Sequence, residues 1–197
     1  MEREFALISL KGLTKPFDLN NLTIGRMDLI ARCISSAFFI SYAIRRNVIF
    51  NIFLYGPPDP PKNIILCGEE LEGISPDEKG ICRKISEVLK KSKNLKLNEI
   101  KKIEKGIYVG RRSFENFIKQ KAGEKNIIYL HPKGKDIREY EFKKSFLFVL
   151  GDQKGLPEKT EKLLENLGAE KVSLGKIEYL ASHCIVIVNN ELDRRGL

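Results

Sequence analysis

Residues of the kinds that build metal centres are scarce in this sequence. Its 197 residues include only two histidines, His131 and His183, which cannot assemble a multi-histidine metal site. The four cysteines stand far apart and form no Cys-x-x-Cys pair. This spacing is typical of reduced, mostly buried thiols, and it argues against zinc modules and a disulfide framework.

Long apolar runs and export signals are missing as well. No run approaches the roughly 18–20 apolar residues that a membrane span needs, and the first five residues lack the basic and apolar regions of a signal peptide. Neither a Walker lysine motif nor a GxGxxG fingerprint occurs, which argues against a P-loop NTPase and a Rossmann dehydrogenase. We therefore expect a cytoplasmic protein with no membrane or metal partner, built as one domain over residues 1–197.

What the sequence does have is an excess of positive charge. Lys and Arg number 35 against 26 Asp and Glu, for a net charge of +9, which favours an anionic partner such as nucleic acid. Much of the excess lies in residues 90–105, a stretch consistent either with a solvated face or with nonspecific RNA contact. Two arginine pairs outside it, Arg45-Arg46 and Arg111-Arg112, are candidates for phosphate recognition, because a guanidinium binds phosphate in a bidentate manner.

Strand and helix patterns alternate along the chain. Short apolar runs predict strands over residues 4–10, 47–55, 64–67, 106–109, 126–130, 145–150 and 171–174. Apolar residues at helical spacing predict helices over residues 25–44, 76–91 (with Ser75 as N-cap) and 158–167, and a short helix capped by Ser113. Residues 185–188 fit a strand or a helix. The alternation predicts an α/β fold with a mostly parallel sheet flanked by helices.

Three loops follow predicted strands, after Leu130, Leu150 and Leu174. Ligands of a parallel sheet bind outside the carboxyl ends of its strands, so these loops are the predicted binding site. The second loop, Gly151-Asp152-Gln153-Lys154-Gly155, contains two glycines, which allow the backbone to approach a ligand closely.

Eight short motifs in fixed order connect the sequence to a known family. They are GRMDL at 25–29, IRR at 44–46, YGPPDPP at 55–61, SPDE at 75–78, GIYV with Arg111-Arg112 at 106–112, VLGD at 149–152, VSLG at 172–175 and HCI at 183–185. In this combination the chain resembles the largely archaeal TrmY family, the tRNA (pseudouridine-54 N1)-methyltransferases of the SPOUT superfamily. The resemblance implies an α/β fold with a C-terminal trefoil knot, a homodimer, S-adenosylmethionine as cofactor and tRNA as partner.

Carried over by position, the resemblance also implies a cofactor site. Leu130 and Gly151 would line its methionine and ribose side, residues 174–180 would wrap the adenine, and Cys184 would stand close by. The implied cofactor residues are Leu130, Gly151, Leu174, Gly175, Lys176, Ile177, Glu178, Tyr179, Leu180 and Cys184. The resemblance further implies that residues 181–190 begin the last helix.

The reaction implied by the family transfers a methyl group from a sulfonium to N1 of pseudouridine, and the N1 proton must leave. Asp28, beside Arg26 at the start of a predicted helix, is a candidate to accept it. The alternative is that Asp28 only stabilises the helix N-terminus and pairs with Arg26.

We assign four arginines to contacts with RNA phosphates, which would position the RNA: Arg45, Arg46, Arg111 and Arg112. The target base would be splayed out of a tRNA loop into the site.

Four places depart from the family pattern. Residues 21–24 (Asn-Leu-Thr-Ile) stand where the family has a Gly/Ser-rich run before the Gly-Arg pair. Gln153 stands where a histidine is common, Lys176 where the knot loop has a proline, and Ser182 where an acidic or amide residue precedes the His-Cys pair. Other functions therefore stay open: a sister enzyme acting on pseudouridine in ribosomal RNA, a non-catalytic RNA-binding protein of the same fold, and a basic structural protein.

Overall fold

The computed structural model describes residues 1–143, 145–152 and 154–197, and an eight-stranded sheet forms its centre. The strands, in spatial order, are β10 (Glu170–Ser173), β8 (Asn126–Asp136), β9 (Phe146–Gly151), β1 (Arg3–Ser9), β4 (Val48–Leu54), β5 (Lys62–Cys67), β7 (Ile107–Gly110) and β6 (Ile100–Glu104). The first five run parallel, and the last three are added antiparallel at one edge. The predicted mostly parallel α/β sheet is confirmed.

Five helices cover the two faces of this sheet. They are α1 (Met27–Phe38), α2 (Glu78–Lys91), α3 (Phe114–Ala122), α4 (Glu158–Asn166) and α5 (Ala181–Arg194). Side chains alternate along each buried strand, so that Phe5 and Leu7 face one core and Ala6 and Ile8 the other. The first core also contains the buried faces of α1, α2 and α5, and the second contains those of α3 and α4. The helices therefore form two layers around the sheet.

The carboxyl ends of several strands meet at one edge of the sheet, here called the carboxyl edge. Because β7 is antiparallel to β5, and β5 to β4, the end of β7 reaches this edge too. The register lines up these ends through the pairs Ile8 with Gly151, Ser9 with Leu54, Leu54 with Lys62, and Asn63 with Gly110.

Helix α5 returns from the edge strand β10 to the middle of the sheet. Its Asn189 and Asp193 accept hydrogen bonds from the guanidinium of Arg3 on β1, at 3.0 and 2.7 Å, and Arg3 is almost completely buried. Arg45 donates to the same Asp193 carboxylate at 2.8 Å. These bonds fix the last helix against the start of the first strand.

Two helix boundaries differ from the prediction. The helix predicted to reach Ile44 ends at Phe38, and a small hairpin of β2 (Phe39–Ile40) and β3 (Ala43–Ile44) follows. Tyr42, with φ +65°, makes its turn, and the aromatic and β-branched residues of this stretch suit strands better than a helix.

The prediction that Ser75 is the N-cap of the second helix is also wrong. Asp77 caps α2 by accepting from the Gly80 N–H at 2.7 Å, while the Ser75 hydroxyl donates to the Asp77 carboxylate.

Three further segments refine the prediction. Residues 185–188, left open between strand and helix, lie in α5, as the family resemblance implied. The basic stretch 90–105 contains the unpredicted strand β6. Strand β8 continues beyond the turn predicted after Leu130, because β10 pairs with its distal half, Val172 with Lys135.

Among the described helices, none has the length and apolar character that crossing a membrane requires.

Candidate functional site

A cavity of about 590 Å³ opens at the carboxyl edge, where β8, β9 and β10 are neighbours. Strand β8 pairs with β9 as far as Tyr129, and the next residues of β8, 130–133, line the cavity. The turn after β9 and the loop after β10 supply the remaining walls. The three segments singled out from the sequence therefore converge on one space.

Eight of the ten predicted cofactor residues line this cavity. They are Leu130, Gly151, Leu174, Gly175, Ile177, Glu178, Tyr179 and Cys184. Lys176 and Leu180 belong to the same loop and are exposed, and they are not among the residues that line it.

The turn after β9 needs glycine for steric reasons. A Cβ at Gly151 would lie 2.1 Å from the backbone carbon of Gly155, so no side chain fits there. The Asp152 carboxylate holds the turn, because it accepts from the Lys154 N–H at 3.1 Å and from the Leu10 N–H at 3.2 Å. The second bond ties the segment after β1 to the cavity wall. Gln153, the departure from the family pattern in this turn, lies outside the described residues.

The loop after β10 is shaped by Ser173 and Gly175. Gly175 has φ +122°, a backbone conformation that favours glycine, and its N–H donates to the Ser173 hydroxyl at 3.2 Å. Beyond it, Ile177 and Tyr179 are exposed apolar residues. The loop thus presents apolar surface at the mouth of the cavity.

Cys184 lies at the base of this loop, on α5. Burial raises the pKa of its thiol to about 11. The thiol is therefore protonated at neutral pH, which is unsuitable for a nucleophile and compatible with a packing residue beside a ligand. Ser182, another departure from the family pattern, is buried on the same helix.

Sequence reasoning did not assign several residues that line the cavity. They are His131, Pro132, Lys133, Leu150, Asp152, Lys154, Gly155, Leu156, Glu161, Ser173 and Ala181. Most of them lie in or beside the three loops after Leu130, Leu150 and Leu174, so their position in these loops could have predicted that they line the site. Glu161, on α4, carries no such signal. With Asp152 and Glu178 it gives the cavity three carboxylates.

Asp28 and Arg26 do not line the cavity; Asp28 lies in the first turn of α1, and Arg26 directly precedes that helix. The Asp28 carboxylate accepts from Arg26 Nε at 3.2 Å and from an Arg32 terminal nitrogen at 2.8 Å. Burial raises the pKa of Asp28, but the bonds and charges of Arg32 and Arg26 outweigh it and leave the pKa below its usual value. Arg26 has φ +55°, a strained conformation for a residue with a side chain, and such strain is concentrated at functional sites.

The four arginines assigned to RNA phosphates occupy different surroundings. Arg45 pairs with Asp193, and Arg46 donates to the carbonyls of Gly68 and Leu71 at 3.1 and 2.9 Å. Arg111 pairs with Asp59 at 2.9 Å. Arg112 stacks over the Phe117 ring and donates to the Gln120 side chain at 2.7 Å. Arg111 and Arg112 follow β7 at the carboxyl edge, while Arg45 and Arg46 precede β4 at the opposite edge.

Metal-ligating residues do not cluster in the described ranges. No group of three or more His, Cys, Asp or Glu side chains there could hold an ion.

Known proteins resemble the chain along its whole length. A sequence model of the family described as "Putative SAM-dependent RNA methyltransferase" matches residues 2–197. The tRNA (pseudouridine(54)-N(1))-methyltransferase of Methanococcus maripaludis strain C6 is 42% identical over 198 residues, covering 98% of each chain. The protein of the same name from Methanocaldococcus jannaschii is 40% identical, covering 99% of this chain and 98% of its own.

The fold is also found among solved structures. Archaeoglobus fulgidus Nep1 bound to S-adenosylhomocysteine aligns with a TM-score of 0.64 over 100% of both chains. Since only 13% of the residues are identical, this likeness concerns the fold alone.

Proposed function

Because this chain belongs to the family of SAM-dependent RNA methyltransferases matched over residues 2–197, we propose that it methylates N1 of pseudouridine 54 in tRNA. The observation that carries this proposal is the convergence of three loops around one cavity at the carboxyl edge. The chain shares about 40% identity, end to end, with relatives named for this reaction.

The cavity suits S-adenosylmethionine in size and chemistry. Its volume of about 590 Å³ lies within the range of small-molecule sites. Leu130, Leu150 and Leu174 offer apolar surface for a nucleobase, while Asp152, Glu161 and Glu178 offer acceptors for hydroxyl and ammonium groups. A Cβ at Gly175 would point into open space, so the backbone there is free to approach a ligand. The residues present therefore fit the cofactor.

The residues around the cavity act by binding and orientation. When bound, S-adenosylmethionine would supply the methyl group of its sulfonium, which a nucleophile attacks in line while the sulfur leaves as a neutral thioether. The turn at Gly151 and the loop from Ser173 to Glu178 would fix the position of that group. The alignment of nucleophile and methyl group is the main contribution that such a reaction needs from the protein.

Asp28 is proposed to accept the proton that leaves N1, with Arg26 holding the carboxylate in place. A lowered pKa makes Asp28 a weak base, yet it keeps the carboxylate ionised at neutral pH. A weak base is sufficient here, because N1 becomes strongly acidic as it gains the methyl group. The bond between the Leu10 N–H and Asp152 ties the start of the loop between β1 and α1 to the cavity wall, and Asp28 follows that loop in the first turn of α1.

The assignment of Arg45, Arg46, Arg111 and Arg112 to RNA phosphates stays a prediction. Arg112 is the best placed of the four, because it lies at the carboxyl edge and the described residues give it no carboxylate partner. The other three would have to exchange the intramolecular contacts they make.

The finer features implied by the family belong to the same proposal. We propose one methyltransferase domain over residues 1–197, a trefoil knot formed by the C-terminal segment, a homodimer and a cytoplasmic location. The return of α5 from the edge strand β10 to Arg3 on β1 supports the knot, because the segment must pass back across the sheet. Exposed apolar residues on and before α5, namely Tyr179, Leu180 and Val186, support a dimer surface.

Incubation with labelled S-adenosylmethionine and tRNA transcripts, with or without pseudouridine at position 54, tests the proposal. We expect methyl incorporation only into the pseudouridine-containing tRNA, and N1-methylpseudouridine in its nucleoside mass spectrum. A ribosomal RNA fragment containing pseudouridine serves as the competing substrate. Preferred methylation of that fragment, or no heat of cofactor binding in calorimetry, would overturn the proposal.

A further inference from the structure

A second groove, of about 460 Å³, lies between α3 and the residues that flank β6 and β7. It is lined by Asn98, Ile100, Arg112, Asn116, Lys119 and Gln120. None of these six is acidic, and five of them have N–H donors in their side chains. The groove therefore offers donors and positive charge to a ligand.

Arg112 is the partly buried cation of this groove. Its guanidinium lies 5.3 Å from the centre of the Phe117 ring. Among the described residues it donates to neutral oxygens alone, those of Gln120 and of the Asn116 backbone. Burial lowers the pKa of Arg112, while Glu124 and Glu4 oppose this from a distance. Within the described ranges, no carboxylate comes within 4.0 Å of it. A partly buried cation without a counter-ion is stabilised by an anionic ligand.

The groove shares the carboxyl edge with the cofactor cavity. Gly110, at the end of β7, lies in line with Leu54, Ser9 and Gly151 through the register of the intervening strands. Four strand spacings of about 4.8 Å separate β9 from β7, so the ends of these two strands are roughly 19 Å apart along the carboxyl edge. One RNA molecule can reach both the groove and the cavity.

We propose that this groove binds backbone phosphates of the substrate RNA, away from the methylated nucleotide. Arg112 and Lys119 supply the charge, and Asn98 and Asn116 supply neutral donors. The proposal rests on the proposed function in that the ligand is the RNA substrate. It adds a second contact point that holds the RNA across the sheet edge, while the target base enters the cavity.

The test is titration of fluorescently labelled tRNA at several salt concentrations, with the wild type and with Arg112→Gln/Lys119→Gln. We expect the double variant to bind tRNA about tenfold more weakly, with a salt slope smaller by about two. Its affinity for S-adenosylmethionine, measured by calorimetry, should stay unchanged. The single variant Lys119→Gln removes an exposed side chain and should lower the slope by about one without changing the melting temperature.

The matched control is Lys79→Gln/Arg194→Gln, which removes one lysine and one arginine, both exposed, from helices on the other face of the sheet. An equal loss in this control would show a general charge effect and overturn the proposal. Binding of inorganic phosphate in the groove with unchanged tRNA affinity would assign it to a small anion and overturn it as well. Because these measurements report binding, they stay informative if the wild type methylates a different RNA or none.

Discussion

Two aspartates in this protein each bridge two arginines, and their positions give them different roles. Asp28 joins Arg26 and Arg32 at the start of α1. Asp193 joins Arg3 and Arg45 near the end of α5. The local chemistry is nearly the same, so a comparison of the two separates a catalytic role from a structural one.

For Asp28→Asn we expect turnover to fall by about 10²–10⁴-fold, since the proton acceptor is lost, with cofactor affinity nearly unchanged. Asp193→Asn removes an equivalent carboxylate far from the cavity and should keep wild-type turnover at temperatures where it is folded. Single-turnover methylation of tRNA measures both. Wild-type turnover in Asp28→Asn would leave Asp28 with only its structural role at the helix start.

Gly151 gives a second prediction at the scale of a residue. In Gly151→Ala the new Cβ would meet the Gly155 backbone at 2.1 Å, so the turn must open. We expect a loss of roughly 1–3 kcal/mol in the free energy of unfolding, together with weaker cofactor binding. Gly123→Ala is the matched control, because its Cβ would meet only the Gln120 carbonyl at an ordinary 3.7 Å and its φ is −83°. Equal cofactor affinity in both variants would contradict the placement of the cofactor beside this turn.

At the scale of elements, the docking of α5 depends on a partly buried ionic contact, in which Arg3 is buried and Asp193 is partly exposed. The bond from Arg45 lowers the pKa of Asp193, and the bond and charge of Arg3 add to this against the effect of burial. A carboxyl group with a lowered pKa in the folded state stabilises the protein above its unfolded pKa of about 4. That contribution is lost as the pH falls through the folded value.

We therefore expect Asp193→Asn to lower the melting temperature at pH 7 by about 2–8 °C, because buried Arg3 loses its counter-ion. The difference from wild type should shrink as the pH falls below about 4 and through the lowered pKa of Asp193, as measured by thermal denaturation followed by circular dichroism. Glu72→Gln, which breaks the exposed pair with Lys105, should change the melting temperature by less than about 1 °C. A pH-independent difference for Asp193→Asn would contradict the ionic explanation.

At the scale of the whole molecule, the proposed dimer places exposed apolar residues of the α5 region at an interface. Val186 is 50% exposed on α5. We expect Val186→Glu to convert a dimer into a 22.5 kDa monomer in sedimentation analysis, since a charge would be buried without a partner. Leu97→Glu changes an equally apolar residue that is 68% exposed outside this region and should leave the dimer intact. A monomeric wild type would contradict the dimer itself.

The sequence by itself determined which loops line the cavity and where most of the strands and helices lie. Apolar runs located the parallel strands, and the loops after Leu130, Leu150 and Leu174 line the cavity, because loops at the carboxyl ends of parallel strands meet there. The Ser113 cap is confirmed by its bond from the Asn116 N–H, since capping depends on residues close in sequence. Such features follow from local spacing alone.

Other features were decided only by the tertiary structure. The β-branched run 185–188 is helical because Ile185 and Val188 are buried in the core that α5 shares with α1, and burial outweighs the intrinsic propensity. Arg45 pairs with Asp193, and Arg111 pairs with Asp59. Glu161 of α4 reaches the cavity. Each of these contacts joins residues that are distant in sequence. No local pattern encodes such contacts, because they depend on the spatial order of the strands in the sheet.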